Sequence, residues 1–281
     1  MNDNAANQGT NQGTTQGTTQ GTTQGTIRTE RDGSIAIVTI DRPAKLNALT
    51  RTLWRALGET FETLSADASL RCIVLRGAGE KAFSPGNDIG EFATDRANVA
   101  QAREYGALMH RTLGVIDACP VPVVAMIHGL CVGGGLEIAA LCDLRICGES
   151  SRFGAPIKNL GLVMAHAELE ALLRLVGEAV ALEILLEGCI LGAHEALAKG
   201  LVTRVVPDAE VTGQALEAAQ RIAAGAPLAA RWHKQFVRRA RHAAPLTQAE
   251  RDEGFACFGT EDFRIGYQAF LAKETPQFKG R

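Results

Sequence analysis

Apolar positions in this chain change period several times, and each change marks an element. Short apolar runs at Ile35 to Ile40, Cys72 to Arg76, Val121 to Ile127, Leu144 to Cys147 and Leu201 to Val206 predict strands. Between them the spacing turns helical. Leu49, Leu53, Leu57, Phe61 and Leu64 fall on one face, and Ala97 to Ile116 and Glu168 to Leu175 behave likewise. Strands alternating with helices predict an α/β fold. Beyond Pro207 strand signals stop, and Ala209 to Ala224, Pro227 to Ala240, Leu246 to Phe255 and Glu261 to Lys273 predict four successive helices. At the other end Gln-Gly-Thr recurs every fourth residue with nothing to bury, which predicts a disordered low-complexity tail. The expected organisation is a tail at 1–26, a core at 27–206 and a helical region at 207–281.

Composition narrows the class of function. With 281 residues, 46% of them hydrophobic, the chain has ample material for a core. A formal net charge of -2 argues against nucleic acid or membrane as the main partner and favours a small molecule. The longest uncharged stretch, Pro120 to Leu136, is broken by Pro122 and four glycines and falls short of the ~20 residues a bilayer span needs. Seven scattered cysteines without CxxC spacing read as buried free thiols, and a cytoplasmic protein is expected. Histidine and cysteine spacing implies no metal site.

The candidate chemistry lies behind the glycine run Gly133, Gly134, Gly135. A buried strand precedes it and a helix from Gly134 through Cys142 follows, so its amides point outward, unpaired, at a helix start. Without Cβ atoms the run lets another molecule approach the backbone. A second glycine turn, Ala82 to Ile89, presents backbone from a neighbouring strand end. The amides of Asn87 and Gly134 are the nominated pair of oxyanion donors. Glu137, the single ionisable carboxylate between Pro120 and Cys142, stands three residues beyond Gly134 among apolar neighbours, so its pKa is expected to rise. A helix-start carboxylate pairing with the dipole or with Arg145 is the structural alternative. Asp88 is expected to cap turn amides, and Asp143 to be structural, paired with Arg145. The basic helix Arg231, Lys234, Arg238, Arg239 and Arg241 is read as a solvated face opposite Trp232 and Phe236.

Four motifs in order carry a resemblance. Asp41-Arg42-Pro43-Ala44-Lys45-Leu46-Asn47-Ala48-Leu49, Ala82-Phe83-Ser84-Pro85-Gly86-Asn87-Asp88-Ile89, Pro122 to Gly129, and Gly133-Gly134-Gly135-Leu136-Glu137-Ile138-Ala139 with Cys142-Asp143 resemble the crotonase, or enoyl-CoA hydratase/isomerase, superfamily. The likeness runs from about Ile35 to the C-terminus, where Gly266 to Lys273 is similar to the family's closing helix. It implies a spiral of ββα turns with C-terminal helices, assembled as a homotrimer or a dimer of trimers. It further implies an enzyme of acyl-CoA thioesters, with CoA arriving as part of the substrate, no separate cofactor, and fatty acid metabolism as the setting. Asn87 and Gly134 would stabilise an enolate. Lys45, Leu46, Pro85, Asn87, Asp88, Ile89 and Gly90 would line the CoA channel, and Phe270 with Lys273 of a neighbouring subunit would close the adenine pocket.

The resemblance breaks at one place that matters. Hydratases of this family use two glutamates, one to activate water and one to manage the α-proton. Glu137 matches the first, but the position of the second is Ile157, which cannot transfer a proton. His166, Glu168 and Glu170 are the nearest polar substitutes, and His166 is a possible catalytic group. Hydratase-like lyase activity is the leading expectation. Isomerisation or decarboxylation by the same fold, or a non-catalytic relative binding acyl-CoA or RNA, stands beside it.

Overall fold

The computed structural model describes residues 24–241 and 244–281. The Gln-Gly-Thr tail expected at 1–26 lies, up to residue 23, outside the described residues. The chain enters as an antiparallel hairpin, β1 (Thr26–Asp32) and β2 (Ile35–Asp41), closed by Gly33 in the left-handed region. Helix α1 (Arg51–Ala66), capped by Thr50 Oγ1 on the Leu53 amide, buries Leu53, Trp54, Leu57, Phe61 and Leu64, the face that the helical spacing predicts.

From here each turn of the chain gives one strand to each of two sheets. β3 (Cys72–Gly77) leads to β4 (Ala82–Ser84), and the chain returns through α2 (Phe92–Asp95) and α3 (Val99–Ala118). β5 (Val123–Ile127) leads to β6 (Leu130–Val132) and α4 (Gly134–Leu141). β7 (Leu144–Gly148) leads to β8 (Arg152–Gly154) and α5 (His166–Leu182). β9 (Ile190–Gly192), α6 (Ala193–Ala198) and β10 (Arg204–Val206) complete the winding. The larger sheet runs β1-β2-β3-β5-β7-β10 and is parallel from β2 onward; the smaller runs β4-β6-β8-β9. Every strand of the smaller sheet has three residues, too few for an alternation to register, so the apolar pattern showed only the larger sheet.

The main core lies between the sheets and helices α1, α3, α4 and α5. A second core forms on the outer face of the large sheet. There α7 (Val211–Ala224) lays Val211, Ala215, Ala218, Ala219 and Ala223 on Cys72, Val74, Val124, Met126 and Ile146. Small side chains let the helix lie close to the strands. The chain closes with α8 (Pro227–Arg239), α9 (Gln248–Glu253) and α10 (Glu261–Ala272). All seven cysteines are free, five of them buried. Among the described residues no helix is long and apolar enough to cross a membrane.

Two sequence expectations are corrected here. The basic residues of α8 do not form a solvated face. Lys234 is buried, with Nζ on the Val121 carbonyl and on Asp143; Arg238 reaches the Cys119 carbonyl, and Arg231 reaches the carbonyl of Leu70. Carbonyls left unpaired where α3 and the segment after α1 end draw these cations inward. Asp143 accordingly pairs with Lys234 at 2.5 Å and accepts the Val123 amide at 2.7 Å, rather than meeting Arg145.

Candidate active site

The turn after β4 is built by a chain of buried hydrogen bonds. Asn47, at a positive φ of 64°, donates through Nδ2 to the carbonyls of Ala78 and Ala82. Its own carbonyl accepts from Ser84 Oγ at 2.9 Å, and the Ser84 hydroxyl in turn accepts the Gly86 amide at 3.0 Å. Leu49 then takes both sides of the turn, its amide donating to the Gly86 carbonyl and its carbonyl accepting from Asp88. Asp88 closes the arrangement by accepting the Gly90 amide at 2.9 Å and the Arg42 guanidinium at 2.7 Å, a pairing that holds its carboxyl below the usual range. Asp88 is thus the turn cap that the sequence led us to expect.

This turn is pressed, backbone to backbone, against the start of α4. A Cβ on Gly86 would lie 2.3 Å from the Gly134 nitrogen, and one on Gly135 would lie 2.1 Å from the Ser84 carbonyl oxygen. Such approaches exclude every side chain but hydrogen. Gly86 also holds φ at +88° and Gly133 at +51°. Among the described residues neither the Asn87 nor the Gly134 amide donates to a protein acceptor, and both residues line one cavity of about 80 Å³. Trp54, fully buried, donates its indole N–H to Asn87 Oδ1 at 2.7 Å and so fixes the side chain beside its amide.

Glu137 lines the same cavity, 7% exposed, and its Oε2 has no hydrogen-bond partner. Burial first, and the negative charge of Glu168 second, push its carboxyl up to about 8, with Arg96 opposing them. The structural alternative of a pair with Arg145 does not hold. That guanidinium faces the other end of α4, where it donates to the carbonyls of Leu201, Ala139 and Cys142. A carboxyl that is protonated near neutrality and left without a partner in a cavity can exchange a proton with whatever enters.

The opposite wall comes from the 156–160 turn and the loop after it: Ile157, Leu160, Leu162 and Val163, with Met109 and Phe92 beside them. Glu168 on α5 and Arg96 are the other charged groups in the lining. His166 is not among the lining residues. It is exposed at the first position of α5, and two residues on a helix turn the side chain by about 200°, so the face that brings Glu168 inward sends His166 outward. Glu170 is likewise turned outward, paired with Arg174.

Of the residues expected to line a CoA channel, Pro85, Asn87 and Ile89 lie on the cavity, while Lys45, Leu46 and Gly90 are exposed and not part of its lining. Arg42 ties the two loops by bonding both the Ala48 carbonyl and Asp88. Phe270, 81% exposed, and Lys273 sit on and after α10, away from the lining. Sequence reasoning missed Asn47, Ser84 and Trp54 as supports of the turn, and Arg96 as a charged member of the wall. Asn47 stood inside a quoted motif, and asparagine is one of the few non-glycine residues that readily takes a positive φ, a signal that could have found it; Trp54 looked like any core aromatic.

A two-sheet spiral carrying paired free amides and a buried carboxyl at one helix start defines a class, the crotonase fold. Comparison with known proteins narrows it. Residues 30–281 match the family model for enoyl-CoA hydratase/isomerase, and the chain belongs to that family. It is 35% identical over 255 residues to a short-chain-enoyl-CoA hydratase of Clostridium acetobutylicum, covering 90% of this chain and 97% of that one. It is 31% identical over 252 residues to a crotonyl-CoA hydratase of Syntrophomonas wolfei, covering 89% and 96%. Among solved structures, an enoyl-CoA hydratase/carnithine racemase from Magnetospirillum magneticum superposes with a TM-score of 0.89 at 50% identity, covering 91% of this chain and 96% of that one.

Proposed function

We propose that this protein is a lyase of hydratase type that adds water to the double bond of a 2-enoyl-CoA thioester. The observation that carries the reading is Glu137 Oε2, buried and unpartnered in the cavity that the Asn87 and Gly134 amides also border. The thioester oxygen accepts from those two amides, each worth on the order of 3 kcal/mol once charge develops there. Glu137 handles a proton beside it. CoA enters with the substrate along Lys45, Leu46 and the Pro85–Gly90 loop. The hydratase names of the relatives support the same reaction.

The wider setting is also proposed. Phe255, Phe258, Phe270 and Leu271 are all more than half exposed near or on α10, an apolar face that a homotrimer or a dimer of trimers would cover, bringing Phe270 and Lys273 to a neighbour's CoA. A cytoplasmic role in fatty acid metabolism fits this substrate class. A second reading, double-bond isomerisation or decarboxylation, is favoured by one observation, the apolar Ile157 at the place of a second glutamate. Incubation with crotonyl-, 3-enoyl-, methylmalonyl- and 3-hydroxyacyl-CoA followed by mass analysis separates the two. Gain of water supports the hydratase, whereas double-bond migration or loss of carbon dioxide without hydration overturns it.

A further inference from the structure

We propose that Glu168, anchored by His110, is the second acid/base group of this site and replaces the carboxylate that Ile157 does not supply. The inference rests on the acyl-CoA reading above and deepens it. Glu168 reaches the cavity of Glu137 from α5, a different element from the turn that bears Ile157. Its side chain is 11% exposed and held at both oxygens: Oε1 lies 2.9 Å from His110 Nε2, and Oε2 accepts the Ala165 amide at 2.8 Å. His110, on α3 and partly exposed, stands between the carboxylate and solvent. Apart from these groups, Arg96 is the charged side chain that faces the pair; the rest of the wall, Met109, Ile157, Leu160, Leu162 and Val163, is apolar.

Two carboxyl groups, Glu137 and Glu168, line this one small cavity. Burial first, and the Glu168 charge second, raise Glu137 to about 8, so Glu137 holds a proton near neutrality beside that charge. Addition of water then balances. Glu168 takes a proton from water as the oxygen bonds to C3, and the π electrons of the double bond move onto the thioester oxygen held by the two amides. The enolate collapses, and C2 takes the proton of Glu137. Glu168 is left protonated and Glu137 ionised, and transfer of one proton from Glu168 to Glu137 restores the pair. Glu137 thus serves as donor to C2 and Glu168 activates water, the reverse of the part that family resemblance implies for Glu137.

The test uses Glu168→Gln in the full chain, because glutamine can still accept the Ala165 amide and reach His110 while losing the capacity to take up a proton. On crotonyl-CoA, kcat is expected to fall about 100-fold or more with KM within about threefold, a split that a mere helix cap would not produce. Thermal unfolding is measured alongside. Adding Ile157→Glu to Glu168→Gln should restore about tenfold of the loss by returning a carboxylate to the cavity. Infrared titration of the Glu137 carboxyl should show its midpoint moving down once the Glu168 charge is gone, while Glu170→Gln moves neither rate nor midpoint. A Glu168→Gln rate within about threefold of the parent, or an unmoved Glu137 midpoint, overturns the pair. If the parent protein turns over no thioester of the panel, the functional reading is what fails, and the pair is then judged on the titration alone: a lowered midpoint upholds it and an unmoved one rejects it.

Discussion

The two walls of the cavity are made by different means. One wall, from Ser84 to Asn87 and from Gly133 to Gly135, is main chain pressed on main chain, with glycines at contacts of 2.1 to 2.3 Å from a would-be Cβ and a hydrogen-bond frame of Asn47, Ser84, Leu49 and Trp54 behind it. The other, from Ile157 to Glu168, is a row of side chains on a turn, a loop and a helix start, several of them exposed; Val163 is 87% exposed. Backbone donors aimed at a point tolerate no substitution, whereas a row of side chains can be exchanged one at a time. On the proposed reading the first wall would stabilise charge on an oxygen, while the second sets which group stands opposite Glu137. A fold can therefore keep the former while the latter changes the reaction.

This contrast is easiest to break at the tight wall. Gly135→Ala sets a Cβ against the Ser84 carbonyl, and since both partners are backbone we expect a cost of about 3 kcal/mol or more, read as a collapse of the thermal transition and of activity together. Next comes Glu137→Gln, expected to lower kcat by about 10²- to 10⁴-fold while thioester binding, measured by calorimetry, persists; an unchanged rate would make Glu137 a structural carboxyl. The same variant has a stability signature. With its pKa raised to about 8 from an ordinary 4.5, Glu137 keeps in the folded state a proton that the unfolded chain releases. Its contribution to stability is whole below pH ~4.5 and is lost as pH rises to ~8, so Glu137→Gln should melt higher than the parent at pH 8, with the gap closing toward pH 4.5.

Smaller effects sharpen the comparison. Ser84→Ala leaves the Asn47 carbonyl and the Gly86 amide without their shared hydroxyl, at a cost of about 1–3 kcal/mol, and should depress kcat more than it raises KM. On the loose wall, Val163→Ala should change stability by no more than about 0.5 kcal/mol while altering the preference among acyl chains of different length, measured as kcat/KM ratios. Equal sensitivity of the two walls to such changes would remove the distinction.

What was legible in the sequence divides along the same line. Long periodic elements showed themselves, as α1 did through Leu53, Leu57 and Phe61, and so did the glycine turns, because a missing Cβ is visible in the residue type. The smaller sheet did not show, since three residues such as Leu130 to Val132 cannot display a period. Nor did the inward turn of Lys234, which depends on carbonyls left open by elements distant in the chain. On the loose wall the absence at Ile157 could be read, but the choice among His166, Glu168 and Glu170 needed the rotation of α5. The sequence favoured His166 among the three, whereas the rotation of the helix brings Glu168 to the cavity and leaves His166 exposed.

Helix α4 is finished at one end and open at the other. Arg145 donates to the Ala139 and Cys142 carbonyls at its C-terminal end, while the Gly134 amide at its opposite tip has no protein acceptor among the described residues. The polarity of this short rod is consequently set during folding, before any guest arrives. An incoming oxygen meets dipoles that need no rearrangement, so the expense of orienting them has been met during chain assembly instead of during each catalytic cycle.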